Sequence, residues 1–375
     1  MNNFYKRCIR CIMDTSDSEI SFDVDGICNH CKSYQERLNS RIYTQEEREE
    51  KLSSLVNKIK SNSLNNDYDC IIGVSGGVDS TYVAYLTKKL GLRPLAIHFD
   101  NGWNSELAVS NIEKVLKKLE IDLLTYVIDW EEFRDLQKSF LYASTPDGEI
   151  PTDHAINALL FREASKRKIK YIINGMNFAT ESISVKSWAY GHSDWTYIKD
   201  VHRKFGKVKL KNYPFYNLFL LFYWTFIKKI KVISILNYIE YNKGQVMEII
   251  QNELDWVYYG GKHYESVYTR FFQGYILPRK FGIDKRKGHL SDLIYSEQIT
   301  REDALSELEK DIYPSNLLND DFIFVKKKFL LSDQEFDKIM STPVKSHKEF
   351  KNIERKIDLL KRFVNYLRFK GLYSK

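Results

Sequence analysis

The sequence predicts an α/β protein built on a parallel sheet, with a cysteine module ahead of it and a mainly helical part behind. Three observations carry this. Short apolar runs alternate with helical patterns between residues 70 and 174, the mark of βαβ units. The first run, Cys70-Ile71-Ile72-Gly73-Val74, leads straight into Ser75-Gly76-Gly77-Val78-Asp79-Ser80 and then a helix. Polar clusters at 75–80, 100–103 and 174–181 fall where strands end, the side of an open parallel sheet on which ligands bind.

Taken in order, the chain opens with Cys8-x-x-Cys11 and Cys28-x-x-Cys31. Two such knuckles can close a tetrahedral thiolate shell around Zn²⁺; an iron–sulfur cluster or a redox pair is the alternative. His30 lies inside the second knuckle and is expected beside the shell rather than in it. Four sulfurs leave no open coordination position, so the role is structural. Thr44 and Glu47 form a capping box for a connecting helix over 44–60, with acidic residues in its first turn and lysines in its last. Strands are expected over 70–74, 95–99, 123–128 and 171–174, and helices over 79–90, 105–119, 131–141 and 154–168. Past residue 199 the alternation stops. Helical patterns return at 244–254 and again from Thr300. The expected organisation is a zinc-knuckle module (1–40), a connecting helix (41–66), a nucleotide-binding α/β domain (67–198), a basic aromatic insertion (199–243) and a helical region that completes the site (244–375).

With 375 residues, 43% hydrophobic and 29% charged, the chain can bury a core of its own. The start, Met1-Asn2-Asn3-Phe4-Tyr5-Lys6, lacks the apolar core of a secretory signal, and a cytoplasmic location is expected. The most apolar stretch, 218–227, is about half the length a membrane span needs, and Lys228, Lys229 and Lys231 follow it. A buried or partner-facing helix is the favoured reading, with peripheral membrane contact the lesser one. The net charge of +7 gathers near 199–211 and in the tail 345–375. Such patches suit nucleic acid, or a protein handling a nucleotide and an anionic sugar; for the tail, solvated helix faces are the simpler account.

The glycine loop is the chemical centre. Glycines at 76 and 77 let backbone N–H groups approach an anion, and the helix start adds its positive end. No Gly-Lys-Ser/Thr follows, so this is not a Walker loop. Asp79 can hold Mg²⁺ against phosphates or simply cap the helix. Asp100, at a strand end, can hold a ribose hydroxyl or serve as a turn aspartate before Asn101-Gly102. Gly175 opens a loop where a nucleobase or α-phosphate can approach. Glu181 is either a ligand or general base, or a surface glutamate. Asp153 and His154 stand at a helix start, as substrate contact or general base, or as N-cap and neighbour. In Gly260-Gly261-Lys262-His263-Tyr264-Glu265, with Arg270 beyond, Lys262 and Arg270 can neutralise charge on a departing pyrophosphate. Cys70 reads as a small core residue. Its isolation leaves no spare cysteine pair to carry sulfur and no Cys-His-Glu glutaminase set, so ammonia chemistry here requires another protein as its source.

The loop Ser75-Gly76-Gly77-Val78-Asp79-Ser80 resembles the pyrophosphate loop of the N-type ATP pyrophosphatases, which split ATP between its α and β phosphates. With the four cysteines, 174–181, Tyr258-Tyr259-Gly260-Gly261-Lys262-His263-Tyr264-Glu265-Ser266 and Thr269-Arg270-Phe271-Phe272-Gln273-Gly274-Tyr275-Ile276-Leu277-Pro278, nearly the whole chain resembles the N-acetyl sugar amidotransferase family, the WbpG/PseA type of surface-polysaccharide and flagellin-glycan synthesis. The resemblance implies a Rossmann-like adenine nucleotide α-hydrolase (PP-loop) core using ATP, Mg²⁺ and Zn²⁺. Ser75, Gly76, Gly77, Val78, Asp79, Ser80, Asp100 and Gly175 would bind the nucleotide. It implies adenylation of an acetamido oxygen, then displacement of AMP by ammonia, giving an acetamidino sugar for lipopolysaccharide O-antigen, capsule or flagellin glycan. The sugar is nucleotide-linked or free. The implied partners are a glutaminase and a cyclase-like barrel protein, with no stable nucleic acid and no transmembrane segment. Three other readings stay open. One is a tRNA-modifying sulfurtransferase of the same superfamily. Another is a non-catalytic ATP- and zinc-binding scaffold, and the third is a ligase amidating a carboxylate.

Overall fold

The computed structural model describes residues 5–39, 44–359 and 362; the chain start up to Phe4 and most of the basic tail beyond 359 lie outside them. Five strands form one sheet: β1 (Cys70–Gly73), β2 (Pro94–Asp100), β3 (Leu123–Val127), β4 (Tyr171–Asn174) and β5 (Lys231–Ser234). Their order is β3-β2-β1-β4-β5. Every pairing is parallel, with Ile71 opposite Leu95 on one side and opposite Ile172 on the other. The chain lays strands outward on one side of β1, then returns to lay β4 and β5 on the other. The order therefore reverses between β1 and β4, and an open parallel sheet has its ligand crevice at that point.

The period-two alternation of strands sorts their side chains onto two cores. Ile71, Leu95, Ile97 and Ile172 join Phe133, Leu136, Leu159 and Phe161, from helices Trp130–Ala143 and Ile150–Lys166. Cys70, Ile72, Ala96 and Ile173 face the other way, against Val83, Ala84, Ile112 and Val115 of helices Val78–Lys89 and Glu106–Lys118. Cys70 is fully buried there, as expected of a small core residue. The connecting helix is Gln45–Ser61, and both halves of the Thr44–Glu47 capping box are formed.

The alternation does not stop at residue 199. Helix Trp195–Phe205 continues it, and β5 adds a fifth parallel strand inside the expected insertion. β5 is a short edge strand with exposed Lys231 and Val232, so it carries no buried apolar run to betray it. The stretch 258–287 also proves helical in its second half, over Val267–Phe271 and the π-helical Phe272–Phe281.

The cysteine module is clamped onto helix Arg286–Tyr295. Lys287 Nζ meets the buried Asp14 carboxylate at 2.6 Å, Ile12 N–H donates to Ser291 Oγ at 3.3 Å, and Tyr295 O–H donates to Cys31 Sγ at 3.3 Å. Arg301 closes the clamp, its guanidinium donating to the carbonyls of Cys8 and Cys11.

Candidate active site

The loop after β1 is built from backbone. Gly77 is the N-cap of helix Val78–Lys89 and has no side chain to cap it; the Val78 amide instead meets the hydroxyl of Tyr259 from the facing wall. Asp79 is thus not the helix cap. Gly76 has φ +81°, and a Cβ there would stand 2.6 Å from the carbonyl oxygen of Ala108. Its glycine is required by conformation and by the approach of helix Glu106–Lys118. A Cβ on Gly77 would instead meet Ser75 Oγ, Glu265 Oε1 and Tyr259 Oη at 3.2–3.4 Å, so Gly77 is the position whose missing side chain opens the crevice. Ser75 and Ser80 hydroxyls lie 3.2 Å apart, Ser80 donates to Gly77 O, and Trp256 Nε1–H donates to Gly76 O at 2.9 Å.

Around this loop is a cavity of about 210 Å³, lined by Ser75, Gly77, Val78, Asp79 and Ser80 on one side and by Gly175, Glu181, Lys243, Tyr259, Lys262, His263 and Glu265 on the other. Asp79 accepts a hydrogen bond from Tyr241 O–H. Burial, and then the charge of Glu181, push the Asp79 carboxyl above its usual range. Lys262 Nζ lies 3.5 Å from Glu181 and 3.0 Å from His289 Nδ1. Burial and the neighbouring Lys262 lower Lys243, and the same two causes hold His289 well below its ordinary value. His289 is thus a neutral imidazole that accepts from Lys262 at Nδ1, and its Nε2 has no partner. Burial pushes Glu265 up, but His263 and Tyr259 more than offset this; one of its carboxylate oxygens is buried without a partner.

Three carboxylates (Asp79, Glu181, Glu265) beside an anion-receiving helix end make chemical sense if a divalent cation accompanies the polyphosphate. Carboxylate oxygens are the hard donors such an ion prefers, and a cation between Asp79 and Glu181 removes their mutual repulsion. The donor set therefore fits Mg²⁺. The volume fits phosphate groups and falls below the roughly 300 Å³ at which pockets for larger ligands begin.

The site residues expected from sequence divide. Ser75, Gly77, Val78, Asp79, Ser80, Gly175, Glu181 and Lys262 line one cavity. A Cβ on Gly175 would approach Asp79 at 3.0 Å, so this glycine lets β4 pack against the helix start as well as lining the crevice. Three other expectations need correction. Asp100 accepts from Gly102 N–H at 2.9 Å and from Asn104, a turn aspartate. The cluster it organises docks the C-terminal region, through Ser105 N–H to Glu265 O and Val267 N–H to Trp103 O. His154 is buried in a stack with Trp195 and Tyr216. Its Nδ1–H donates to His192 O and its Nε2 accepts from Tyr216 N–H, so neither nitrogen can take a substrate proton. Burial lowers it to about 4. Arg270 is spent on a bidentate pair with Asp321, at 2.7 and 2.8 Å, which Tyr313 O–H joins. Asp153 does not line the cavity itself; burial raises its carboxyl, and it shares a charged cluster with His192, Glu149, Lys285 and the cavity residue His263.

Sequence reading missed Tyr241, Lys243, Tyr259 and His289 as cavity neighbours. Lys243 carried one usable signal: Asn242 before it is an N-cap, placing Lys243 at a helix start.

The four knuckle sulfurs lie within 4.8 Å of one another. Neighbouring Sγ–Sγ separations are 3.6–3.7 Å, far beyond a disulfide and close to the edge of a tetrahedron with ~2.3 Å metal–sulfur bonds. The cluster therefore fits a zinc ion. His30 turns away from it to Asp17, at 2.7 Å, as a residue beside the shell would.

Two family models match the chain. That of queuosine biosynthesis protein QueC takes residues 69–177, and that of the C-terminal domain of WbpG-like LPS biosynthesis proteins takes residues 265–365. The chain thus joins a PP-loop domain matched by the first model to a WbpG-like C-terminal domain matched by the second. The WbpG-like segment begins at Glu265, on the cavity wall, and contains His289. Among solved structures, NMN synthetase from Francisella tularensis is 17% identical with a TM-score of 0.30, covering 54% of this chain and 77% of that one. NH3-dependent NAD synthetase from Campylobacter jejuni is 15% identical with a TM-score of 0.29, covering 43% and 73%. A predicted subunit of tRNA methyltransferase from Methanocaldococcus jannaschii is 16% identical with a TM-score of 0.29, covering 48% and 72%. No curated protein matches the chain.

Proposed function

We propose that this protein is an ATP-dependent amidotransferase acting on an N-acetylated sugar in surface-glycan synthesis. One observation carries the reading: the cavity at the glycine loop is bounded by Glu265, where the WbpG-like segment begins, and by Lys262, which His289 of that segment braces. The amide oxygen of the acetamido group attacks the α-phosphorus of ATP and pyrophosphate leaves. Ammonia then adds to the resulting imidate carbon, AMP departs with the oxygen, and an acetamidino group remains. Adenylation is needed because an amide oxygen is a poor leaving group. Amides at the start of helix Val78–Lys89 receive the β- and γ-phosphates, and Lys262 and Lys243 meet charge that grows on pyrophosphate as it leaves. Asp79 and Glu181 would hold Mg²⁺, which would supply positive charge against the polyphosphate. Tyr241 keeps Asp79 in place. Neutral His289 fixes the direction of the Lys262 ammonium.

The ammonia source in this reading is a separate glutaminase with a barrel partner. The four knuckle cysteines close on one another and Cys70 lies inside the sheet, so none of the five stands as a glutaminase nucleophile. The same fact weighs against a tRNA sulfurtransferase, which needs a thiol free to carry sulfur. Incubation with Mg-ATP, an ammonium salt and a panel of acetamido sugars tests the proposal. AMP, pyrophosphate and a product lighter by the difference between O and NH are expected. Absence of AMP with every acceptor rules the reading out, and tight, salt-sensitive tRNA binding would put the sulfurtransferase in its place.

A further inference from the structure

A second surface is specialised, away from the cavity. Residues 218–227 form a continuous helix, Leu218–Phe222 running into the π-helical Tyr223–Ile227. Trp224 anchors it inward, stacked on Phe161 at 5.4 Å, and Leu220, Leu221 and Tyr223 are half-buried against the core. The opposite side is bare: Phe219 is 73% exposed, Phe222 53%, Phe226 58% and Ile227 60%. Phe219, Phe222 and Phe226 recur at helical spacing on this side, and Phe222 and Phe226 stack at 4.9 Å. An exposed aromatic patch of this kind on a protein surface marks a docking face.

The charge beside this patch selects the occupant. Lys228, Lys229 and Lys231 follow at once and are exposed. Between Asp200 and Glu240 the sequence has no aspartate or glutamate, while Lys207, Lys209 and Lys211 add exposed cations ahead of the helix. A second copy of the same face would set lysine against lysine, which opposes a two-fold contact. An anionic bilayer surface satisfies both halves, aromatic rings entering the acyl boundary and ammonium groups meeting phosphates. At ~1.5 Å per residue the helix is too short to cross a bilayer and long enough to lie along one; no helix among the described residues is long and apolar enough to span.

We propose that helix 218–227 with Lys228, Lys229 and Lys231 is a peripheral docking surface for anionic phospholipid. Flotation of the full chain with vesicles of phosphatidylcholine alone, and of phosphatidylcholine mixed with phosphatidylglycerol, tests this. Binding to the mixed vesicles, weakened by salt, is the expected result. Phe219→Ser with Phe226→Ser abolishes it, because both rings are mostly outside the fold. Lys228→Gln, Lys229→Gln and Lys231→Gln together weaken it by roughly fivefold per lysine. Unchanged circular dichroism and unchanged ATP turnover in solution show that these variants are folded. Three results overturn the proposal: no binding to either vesicle, equal binding to both, or a wild-type dimer that the double Phe variant converts to monomer without lipid being involved.

Discussion

The two walls of the cavity are built on different principles. The loop wall, 75–80, is held by backbone: a glycine in the left-handed region, a helix end and the β1 strand behind it. The facing wall is held by charge. Lys262, Glu181 and His289 brace one another, Glu265 keeps an oxygen without a partner, and Tyr241 reaches across to Asp79. A wall made by the sheet is set before any ligand arrives, whereas a wall of mutually dependent charges can rearrange when a polyphosphate replaces one partner with another. That difference suits a site in which the fixed loop receives the anion and the facing charges adjust around it.

The comparison can be broken most directly at Asp79, where the walls meet. Asp79→Asn should cut pyrophosphate release by on the order of 10²–10³-fold with little change in Tm. Wild-type turnover in that variant removes Asp79 from the chemistry. Next in size is Arg270→Ala, expected to cost about 3–5 kcal/mol by leaving Asp321 buried without its partner. Arg270→Ala combined with Asp321→Ala should recover part of that in urea unfolding. A selective loss of kcat at unchanged stability would instead return Arg270 to the active site.

On the loop wall, Gly76→Ala should cost roughly 1–3 kcal/mol, since it needs φ +81° and collides with Ala108 backbone. Gly77→Ala keeps the fold and raises KM for ATP by filling the crevice. Similar melting temperatures for the two variants would show that the loop is softer than its geometry implies. The last effect shows only on acidification and belongs to His154. Folding lowers its pKa from 6.5 to about 4, so the unfolded chain takes the proton first. Its contribution, at most about 3 kcal/mol, is full above pH 6.5 and lost as pH falls toward 4. His154→Gln should flatten Tm over that window and leave the pH profile of AMP formation unchanged.

What the sequence disclosed follows from range. The capping box of Thr44 and Glu47, the glycine loop and the knuckles are encoded within a few residues, and each forms as its spacing indicates. Arg270 and His154 misled because their partners are distant. Asp321 lies 51 positions from Arg270, and Tyr216 lies 62 from His154. No local pattern tells a cation for phosphate from a cation already spent on a buried carboxylate. Lys243 and Tyr241 reach the cavity only because β5 turns the chain back beside β4, and that edge strand has no alternating pattern to read.

The clasp between the N-terminal module and helix Arg286–Tyr295 reaches further than its position suggests. Shortening the chain to begin at the connecting helix looks like a harmless trim, since it leaves the sheet, the glycine turn and every cavity residue in place. It would also remove Asp14, Ser16 and Ile12, the partners of Lys287 and Ser291 on the helix that carries His289. The cysteine module thus acts as a brace for one wall of the cavity, and a shortened protein that omits it is expected to lose that support.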